Sequence, residues 1–158
     1  MASLGALYHN RGNYNTAIDN YMFAIKAFEE IRKTAIGDIK RDYFAKVMVI
    51  YEYLISANIS AGYLDEAINI YENSRAKYFT ERLNSKYSEN VMPVSLDDIT
   101  NYLRPDEAIL LFSQITEKNQ TDILIISADT TIALQLTDST LFESLYPGNK
   151  EANWDLII

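Results

Sequence analysis

The segment LGALYHNRGNYNTAIDNYMFAI, residues 4–25, recurs in altered form as LISANISAGYLDEAINIYENSR, residues 54–75. Three residue types match at a constant offset of fifty positions: Gly12 with Gly62, Ala17 with Ala67, and Tyr21 with Tyr71. In each copy, apolar residues after the glycine recur three and four positions apart, which is the spacing of one helix face. Each copy therefore predicts two helices joined by a glycine-containing turn.

The first copy places small residues among large ones in a set order, Leu-Gly-x-x-Tyr at 4–8 and Gly-x-Tyr-x-x-Ala-Ile at 12–18. This pattern resembles the tetratricopeptide repeat, a helical hairpin of about 34 residues that stacks into a solenoid. The second copy departs from it, because Ile55 and Asn58 stand where glycine and tyrosine are expected. The offset of fifty leaves about sixteen residues beyond one repeat. We expect them to lengthen the helices that meet near residues 37–38.

Composition excludes several classes of function. The chain of 158 residues has a net charge of −8, from 22 acidic and 14 basic residues, so its field repels a phosphate backbone and argues against a nucleic-acid ligand. It has no cysteine, which excludes disulfides, thiolate zinc sites and a thiol nucleophile. The sequence contains no phosphate-binding loop, nucleophile elbow or metal motif, so we predict no cofactor and no metal. Without a leader or a long apolar stretch, it predicts a cytoplasmic protein that does not enter a membrane.

The composition changes after residue 88, and residues 89–94 read as a linker. Ser95 and Asp98 then have the spacing of a helix N-cap and a variant capping box, with Pro105 just past the end of the short helix. Three segments rich in Ile and Leu follow, AILLFSQI, TDILIIS and TIALQL, separated by turn residues. They predict a three-stranded antiparallel meander.

The third of these strands alternates Ile132, Leu134 and Leu136 with smaller or polar residues, which predicts that the aliphatic side faces a core. The middle strand is apolar on both sides at 123–126 and needs cover on each face. Residues 140–145 predict a short helix. The late start of the first repeat and the apolar end at 153–158 suggest a longer natural protein, with an earlier repeat before Met1.

A series of short motifs links the two halves. Glu72 and Ser74-Arg75-Ala76 lead into Ser-Leu-x-x-Ile at 95–99, then Leu-x-Pro at 103–105 and the aliphatic strand at 109–112. This order is similar to the start of a CHAT domain, the caspase-like module that follows tetratricopeptide repeats in bacterial proteins. The resemblance implies an α+β fold, with helical repeats at 1–88, a linker at 89–94, and the first part of a caspase-like domain at 95–158. It also implies that one repeat helix packs between the modules through Tyr71, Arg75, Tyr78, Phe79 and Leu83.

Family members resemble caspases and use a histidine and a cysteine on loops after later strands. This chain has no cysteine, and its only histidine, His9, lies in the first repeat helix. No catalytic residue can be assigned, and we expect the chain to be inactive as an enzyme.

Three functions remain open from the sequence. In the first, the chain is an interaction scaffold whose groove takes a protein or peptide, apolar or basic in character, through Ala6, His9, Asn10, Glu52, Ser56 and Ile59. In the second, it regulates or positions substrate for a cysteine protease whose histidine and cysteine lie beyond residue 158. In the third, it self-associates through the exposed repeat end or the apolar C-terminus, giving a homo-oligomer.

Overall fold

The computed structural model describes residues 2–34, 38–87, 95–115 and 118–136, without the side chains of residues 33, 38–42, 44 and 76–87. Within these ranges five helices precede three strands. The helices are α1 (Ala2–Asn10), α2 (Tyr14–Thr34), α3 (Asp38–Ala61), α4 (Leu64–Tyr87) and α5 (Leu96–Tyr102). The strands are β1 (Ala108–Ile115), β2 (Gln120–Ser127) and β3 (Thr131–Leu136). This is an α+β architecture, as the sequence predicts.

Each pair α1–α2 and α3–α4 is a helical hairpin that turns at a glycine. Gly12 and Gly62 have φ values of 74° and 81°, in the left-handed region that glycine adopts without strain. The N–H of Asn13 donates to the carbonyl of Tyr8, and the N–H of Tyr63 donates to Asn58, both at 2.9 Å. These bonds are those of a Schellman motif, which terminates α1 and α3 in the same way. The predicted hairpins are confirmed, and the additional residues lengthen α2 and α3.

The first hairpin is held by a close contact between Gly5 and Tyr21. A Cβ atom on Gly5 would lie 2.6 Å from Cε1 and 2.7 Å from Cδ1 of the Tyr21 ring, so no larger residue fits without movement. Tyr21 is buried together with Ala17 and Ala24, and its ring stacks on Tyr53 of α3 at 5.8 Å between centroids. The small residues of the repeat pattern are therefore positions of close helix approach.

Helix α5 begins where the sequence predicts. The Ser95 hydroxyl accepts from the N–H of Asp98 at 3.1 Å, and the N–H of Ser95 donates to Asp98 Oδ2 at 3.1 Å. This reciprocal pair is the predicted capping box. The hydrogen bonds to Ser95 lower the pKa of the Asp98 carboxyl.

The strands form one antiparallel sheet in the order β1-β2-β3, which confirms the meander. Leu124 pairs with Leu111 on one side and with Ala133 on the other, and this row faces the helices. Because side chains alternate along a strand, the next row faces away from them. That outer row consists of Phe112, Ile123 and Leu134.

The orientation of β3 is opposite to the sequence-based expectation. Ile132 and Leu134 are 48% and 44% exposed, while Ala133 packs against the core shared with the helices. The pairing register is consistent with this orientation, because Ala133 lies opposite Leu124, which faces the helices; Gln135, two residues on, hydrogen-bonds to Ser56 of α3. The more aliphatic side of β3 therefore faces outward, with Ile132 and Leu134.

The second hairpin and the sheet share one core. Leu124 and Ile126 of β2 are buried against Ile55, Ile59 and Ile68 of α3 and α4. Burial of this continuous apolar cluster fixes the sheet on the hairpin. Ile55, which breaks the repeat pattern, is thus a contact with the sheet.

Several sequence-based predictions fall outside the described part of the chain. They concern the linker at 89–94, the short helix at 140–145 and the apolar end at 153–158. Among the described helices, none is both long and apolar enough to cross a membrane.

Candidate functional site

A buried polar network joins the inner face of α3 to the sheet. The Ser56 hydroxyl accepts from Gln120 Nε2 at 2.7 Å and from Gln135 Nε2 at 3.2 Å, and Ser56 is completely buried. Both amide groups also donate to Asp122 Oδ1, at 2.7 Å from Gln120 and 3.1 Å from Gln135. One α3 hydroxyl and three strand side chains therefore meet in a single cluster, which we call the junction network.

Asp122 is the charged member of the junction network. Burial raises the pKa of its carboxyl, and hydrogen bonds from Gln120, Ser56 and Gln135 together with the charge of Lys118 act in the opposite direction. Its Oδ2 atom and the hydroxyl of Ser113 are buried without a hydrogen-bond partner in the described structure. The two residues face each other as a cross-strand pair. The junction network therefore lacks hydrogen bonds on the side that faces β1. A buried polar atom without a hydrogen bond lowers the stability of the fold.

Lys118 extends the junction toward the first hairpin. Its Nζ atom donates to Asn10 Oδ1 at 2.9 Å and lies 5.3 Å from the centroid of the Tyr53 ring. His9, one residue before Asn10, is buried and contacts Tyr14 and Tyr21 edge-on, at 5.6 and 6.4 Å between centroids. Burial, with a smaller contribution from the charge of Lys118, lowers the pKa of His9 to about 4. The histidine is therefore neutral at physiological pH.

Arg75 contacts the sheet from α4. Its Nη2 atom donates to the carbonyl of Phe112 at 3.0 Å, and its guanidinium lies 4.3 Å from the centroid of the Tyr71 ring. Glu52 of α3 is partly buried, which raises its pKa, and the charge of Arg75 opposes that effect. Tyr71 packs against the core shared with the sheet. Of the residues predicted to pack between modules, Tyr78, Phe79 and Leu83 lie on α4, with side chains outside the described set.

The structure places the six predicted groove residues in different surroundings. Ser56 and Ile59 are buried beneath the sheet, in the junction network and in the shared core respectively. His9 is buried against tyrosine rings. In the described structure the sheet covers Ser56 and Ile59, and the first hairpin buries His9. Of the other three predicted groove residues, Asn10 is exposed, whereas Ala6 and Glu52 are half-buried.

Sequence reasoning missed the polar residues that hold the junction together. Gln120 and Asp122 share the alternation of Leu124 and Ile126 on β2, so they lie on the same buried face. The sequence does contain a signal for them, because Gln120 and Asp122 alternate along the strand together with the buried residues Leu124 and Ile126. Without knowledge that Ser56 is their partner, however, Gln120 and Asp122 are explained equally well by a strand end that faces solvent.

A cleft of about 920 Å³ lies at the other end of β2 from the junction network, between the α3–α4 turn, Thr100 of α5 and the β2–β3 turn. Asp65, Glu66 and Asp129 contribute carboxylates, and none of its lining residues is basic. The cleft is therefore unfavourable for an anion.

The described residues contain no group of three histidine or acidic side chains that could hold a metal ion. Comparisons with protein-family models, with curated proteins and with solved structures find no match for this chain.

Proposed function

We propose that this chain is a non-catalytic protein-interaction and positioning module of the tetratricopeptide-repeat and CHAT type that its sequence resembles. The junction network is the observation that carries this proposal. The inner positions with which a free repeat groove receives a peptide, Ser56 and Ile59, here receive the chain's own sheet. The helical hairpins thus act on the sheet, which they hold and orient.

The chemistry of the junction supports positioning in particular. Apolar surfaces pack without strong directional preference, whereas a buried hydrogen-bond network is satisfied in one arrangement. Gln120 and Gln135 come from different strands and converge on one hydroxyl of α3. A shift of the sheet by one residue would separate these groups and leave the buried amide of Gln120 unpaired.

We assign no bond cleavage to this chain. It has no cysteine, and its one histidine is buried between tyrosine rings with a lowered pKa. If the parent protein is a caspase-like cysteine protease, the reacting groups come from residues beyond 158. The present residues then position or regulate that domain.

Replacing Gln120 by leucine tests the positioning role. We expect the variant to lose about 1–3 kcal/mol of unfolding free energy, because Asp122 and Ser56 lose a donor, and to lose the single orientation of the sheet. Since the chain has no cysteine, spin labels can be attached to cysteines introduced at Asp19 and Asp129, which are exposed. Electron-electron distance measurements should give one narrow distribution in the parent sequence and a broader one in Gln120→Leu.

The matched control is Gln114→Leu, the same chemical change at an exposed position of β1. It should leave both the stability and the distance distribution unchanged. A broad distribution in the parent sequence, or an unchanged narrow one in Gln120→Leu, would show that the junction network does not set the orientation.

Self-association is a second candidate, favoured by exposed apolar side chains on the first hairpin. Leu4 and Leu7 of α1 and Met22 and Phe23 of α2 are between 39% and 59% exposed. Exposed apolar groups of this kind are typical of association surfaces. The partner would be a second copy of the chain.

We expect Phe23→Asp to weaken such an association by at least about tenfold, which corresponds to ~1.4 kcal/mol. Analytical ultracentrifugation across a concentration series measures it. Tyr102→Asp is the control, because Tyr102 is 88% exposed but lies on α5. A monomer at every concentration in the parent sequence would remove this candidate.

A further inference from the structure

Lys118 lies between two separate apolar clusters of the described structure. The cluster around Tyr21 joins the first hairpin to α3 and contains no described strand residue. The cluster around Leu124 joins the sheet to α3 and α4 and contains no described residue of α1 or α2. Lys118 connects the two parts, because its Nζ atom donates to Asn10 of α1 at 2.9 Å and its backbone leads into β2. This direct link between the first hairpin and the sheet is therefore polar.

The ammonium group of Lys118 has neutral partners in this position. Asn10 accepts through an amide oxygen, and the centroid of the Tyr53 ring lies 5.3 Å away. Among the described residues no carboxylate forms an ion pair with the ammonium group. Burial lowers the pKa of Lys118, and the charge of Asp122 acts in the opposite direction. Asp122 therefore attracts Lys118 without contacting it.

Asp122 offers a second acceptor for the same ammonium group. Its Oδ1 atom accepts from Gln120 and Gln135, whereas its Oδ2 atom is buried without a hydrogen-bond partner in the described structure. Asp122 is 1% exposed, so the unpaired oxygen lowers the stability of the junction network. An ammonium group at Oδ2 would complete the network with a charge-assisted hydrogen bond.

We propose that Lys118 is a two-position switch, whose ammonium group either binds Asn10, as in this structure, or enters the junction network at Oδ2 of Asp122. The first position leaves the side chain half-buried, with weaker partners. The second position gives a stronger bond to a charged acceptor but removes more water from the ammonium group. These opposing effects bring the two positions close in free energy. The flexible stem of lysine permits the exchange by side-chain rotation.

The exchange couples the first hairpin to the orientation of the sheet. Asn10 is exposed, so a partner can reach its side chain. A partner that donates a hydrogen bond to Asn10 would displace Lys118 toward Asp122 and complete the junction network. By linkage, completion of the network would in turn favour that partner. This regulation rests on the positioning role proposed above, because it acts through the same network.

A double-mutant cycle in the full chain tests the switch. Asn10→Ala removes one acceptor, and Asp122→Asn removes the charge of the other. Each single variant leaves Lys118 one position, whereas the double variant leaves it neither. We expect the double variant to reduce the folding equilibrium constant about tenfold more than the two single effects combined, which corresponds to ~1.4 kcal/mol. Urea unfolding at neutral pH measures this coupling, which should vanish when the cycle is repeated with Lys118→Met.

The matched control replaces Asn10→Ala by Asn15→Ala, at an exposed asparagine of α2, and this cycle should be additive. A second measurement needs no change at Asp122. In Asn10→Ala the ammonium group moves to Asp122, so the carboxyl of Asp122 should titrate at lower pH than in the parent chain. Carbon-detected NMR follows this titration. With Lys118→Met also present, Asn10→Ala should leave the titration unchanged.

Three results would each overturn the switch: an additive cycle between Asn10 and Asp122, a coupling that persists with Lys118→Met, or an unchanged titration of Asp122 in Asn10→Ala. The positioning role is tested separately by Gln120→Leu. If Gln120→Leu broadens the distance distribution while the cycle is additive, the junction network orients the sheet without control by Lys118.

Discussion

Replacement of Tyr21 by alanine is expected to lower the free energy of unfolding by about 3–5 kcal/mol, the usual cost of truncating a buried aromatic side chain. Tyr21 is 1% exposed and lies where three helices meet. Its ring contacts Gly5 of α1, His9 of α1 and Tyr53 of α3. Truncation removes all of these contacts and leaves a cavity that the surrounding rigid helices cannot fill by collapsing. Urea unfolding followed by far-ultraviolet circular dichroism measures the loss.

Tyr21→Phe is the matched control, because it retains the ring and removes only the hydroxyl. That hydroxyl is buried without a hydrogen-bond partner in the described structure, and burial raises the pKa of the phenol. Removal of an unsatisfied polar group is neutral or stabilising. We therefore expect Tyr21→Phe to be at least as stable as the parent. A loss below about 1 kcal/mol in Tyr21→Ala, smaller than burial of the ring requires, would contradict the packing described here.

The close contact with Gly5 provides an internal check on this result. Gly5→Ala should destabilise the parent chain, because the added Cβ overlaps the Tyr21 ring. In the Tyr21→Ala background the obstacle is absent, and alanine has a higher helix propensity than glycine by about 1 kcal/mol. The sign of the Gly5→Ala effect should therefore reverse between the two backgrounds. Such coupling is the property that a double-mutant cycle measures.

The sequence predicts most of the local structure because the responsible interactions are local. Gly12 and Gly62 adopt the positive φ that ends each first helix. Ser95 and Asp98 satisfy each other across one turn. The three aliphatic segments pair as a meander because the intervening turns are short. Each of these features is decided within a few residues, so a single sequence is sufficient to predict it.

The candidate site was not predictable in the same way, because contacts between distant segments create it. Ser56 is 64 residues from Gln120 and 79 from Gln135, and no pattern within either segment identifies the other. Alternation in β3 predicts two faces but does not indicate which one meets the helices. Apolar content alone favours the face with Ile132 and Leu134, whereas pairing with β2 places Ala133 beside Leu124 on the helix side. For the same reason, the predicted groove positions Ser56 and Ile59 are occupied by the chain's own sheet.

The second large effect expected is a loss of stability in acid that originates from His9. Its pKa is about 4 in the folded chain, against an ordinary value of 6.5 in the unfolded chain. Well above pH 7 neither state holds the proton, and the contribution to stability is complete. Between pH 6.5 and 4 the unfolded chain takes up a proton that the folded chain excludes, so the free energy of unfolding falls as the pH falls. Below pH 4 both states are protonated and the loss is complete, at up to about 3 kcal/mol.

The pKa of His9 is lowered because its imidazole is buried close to a cation. His9 lies against Tyr14 and Tyr21, which offer its Nδ1 atom no hydrogen bond, and the nearby charge of Lys118 further disfavours the imidazolium. Asp122 and Glu52 titrate in the opposite direction, because burial raises the pKa of both carboxyls and favours their protonated forms at low pH. The pH profile of the parent chain alone therefore mixes the two effects.

His9→Phe separates them, since it keeps an aromatic ring at this position and removes only the titrating group. Both carboxyls remain in the variant, so the difference in unfolding free energy between variant and parent should be constant above pH 7. It should grow in favour of the variant from pH 6.5 to 4 and become constant again below that. Because His9 is the only histidine, its imidazole resonances can be followed by NMR without assignment ambiguity. A titration midpoint near 6.5 in the folded protein, or a pH-independent difference between the two proteins, would mean that His9 is solvated and that the first hairpin does not close around it.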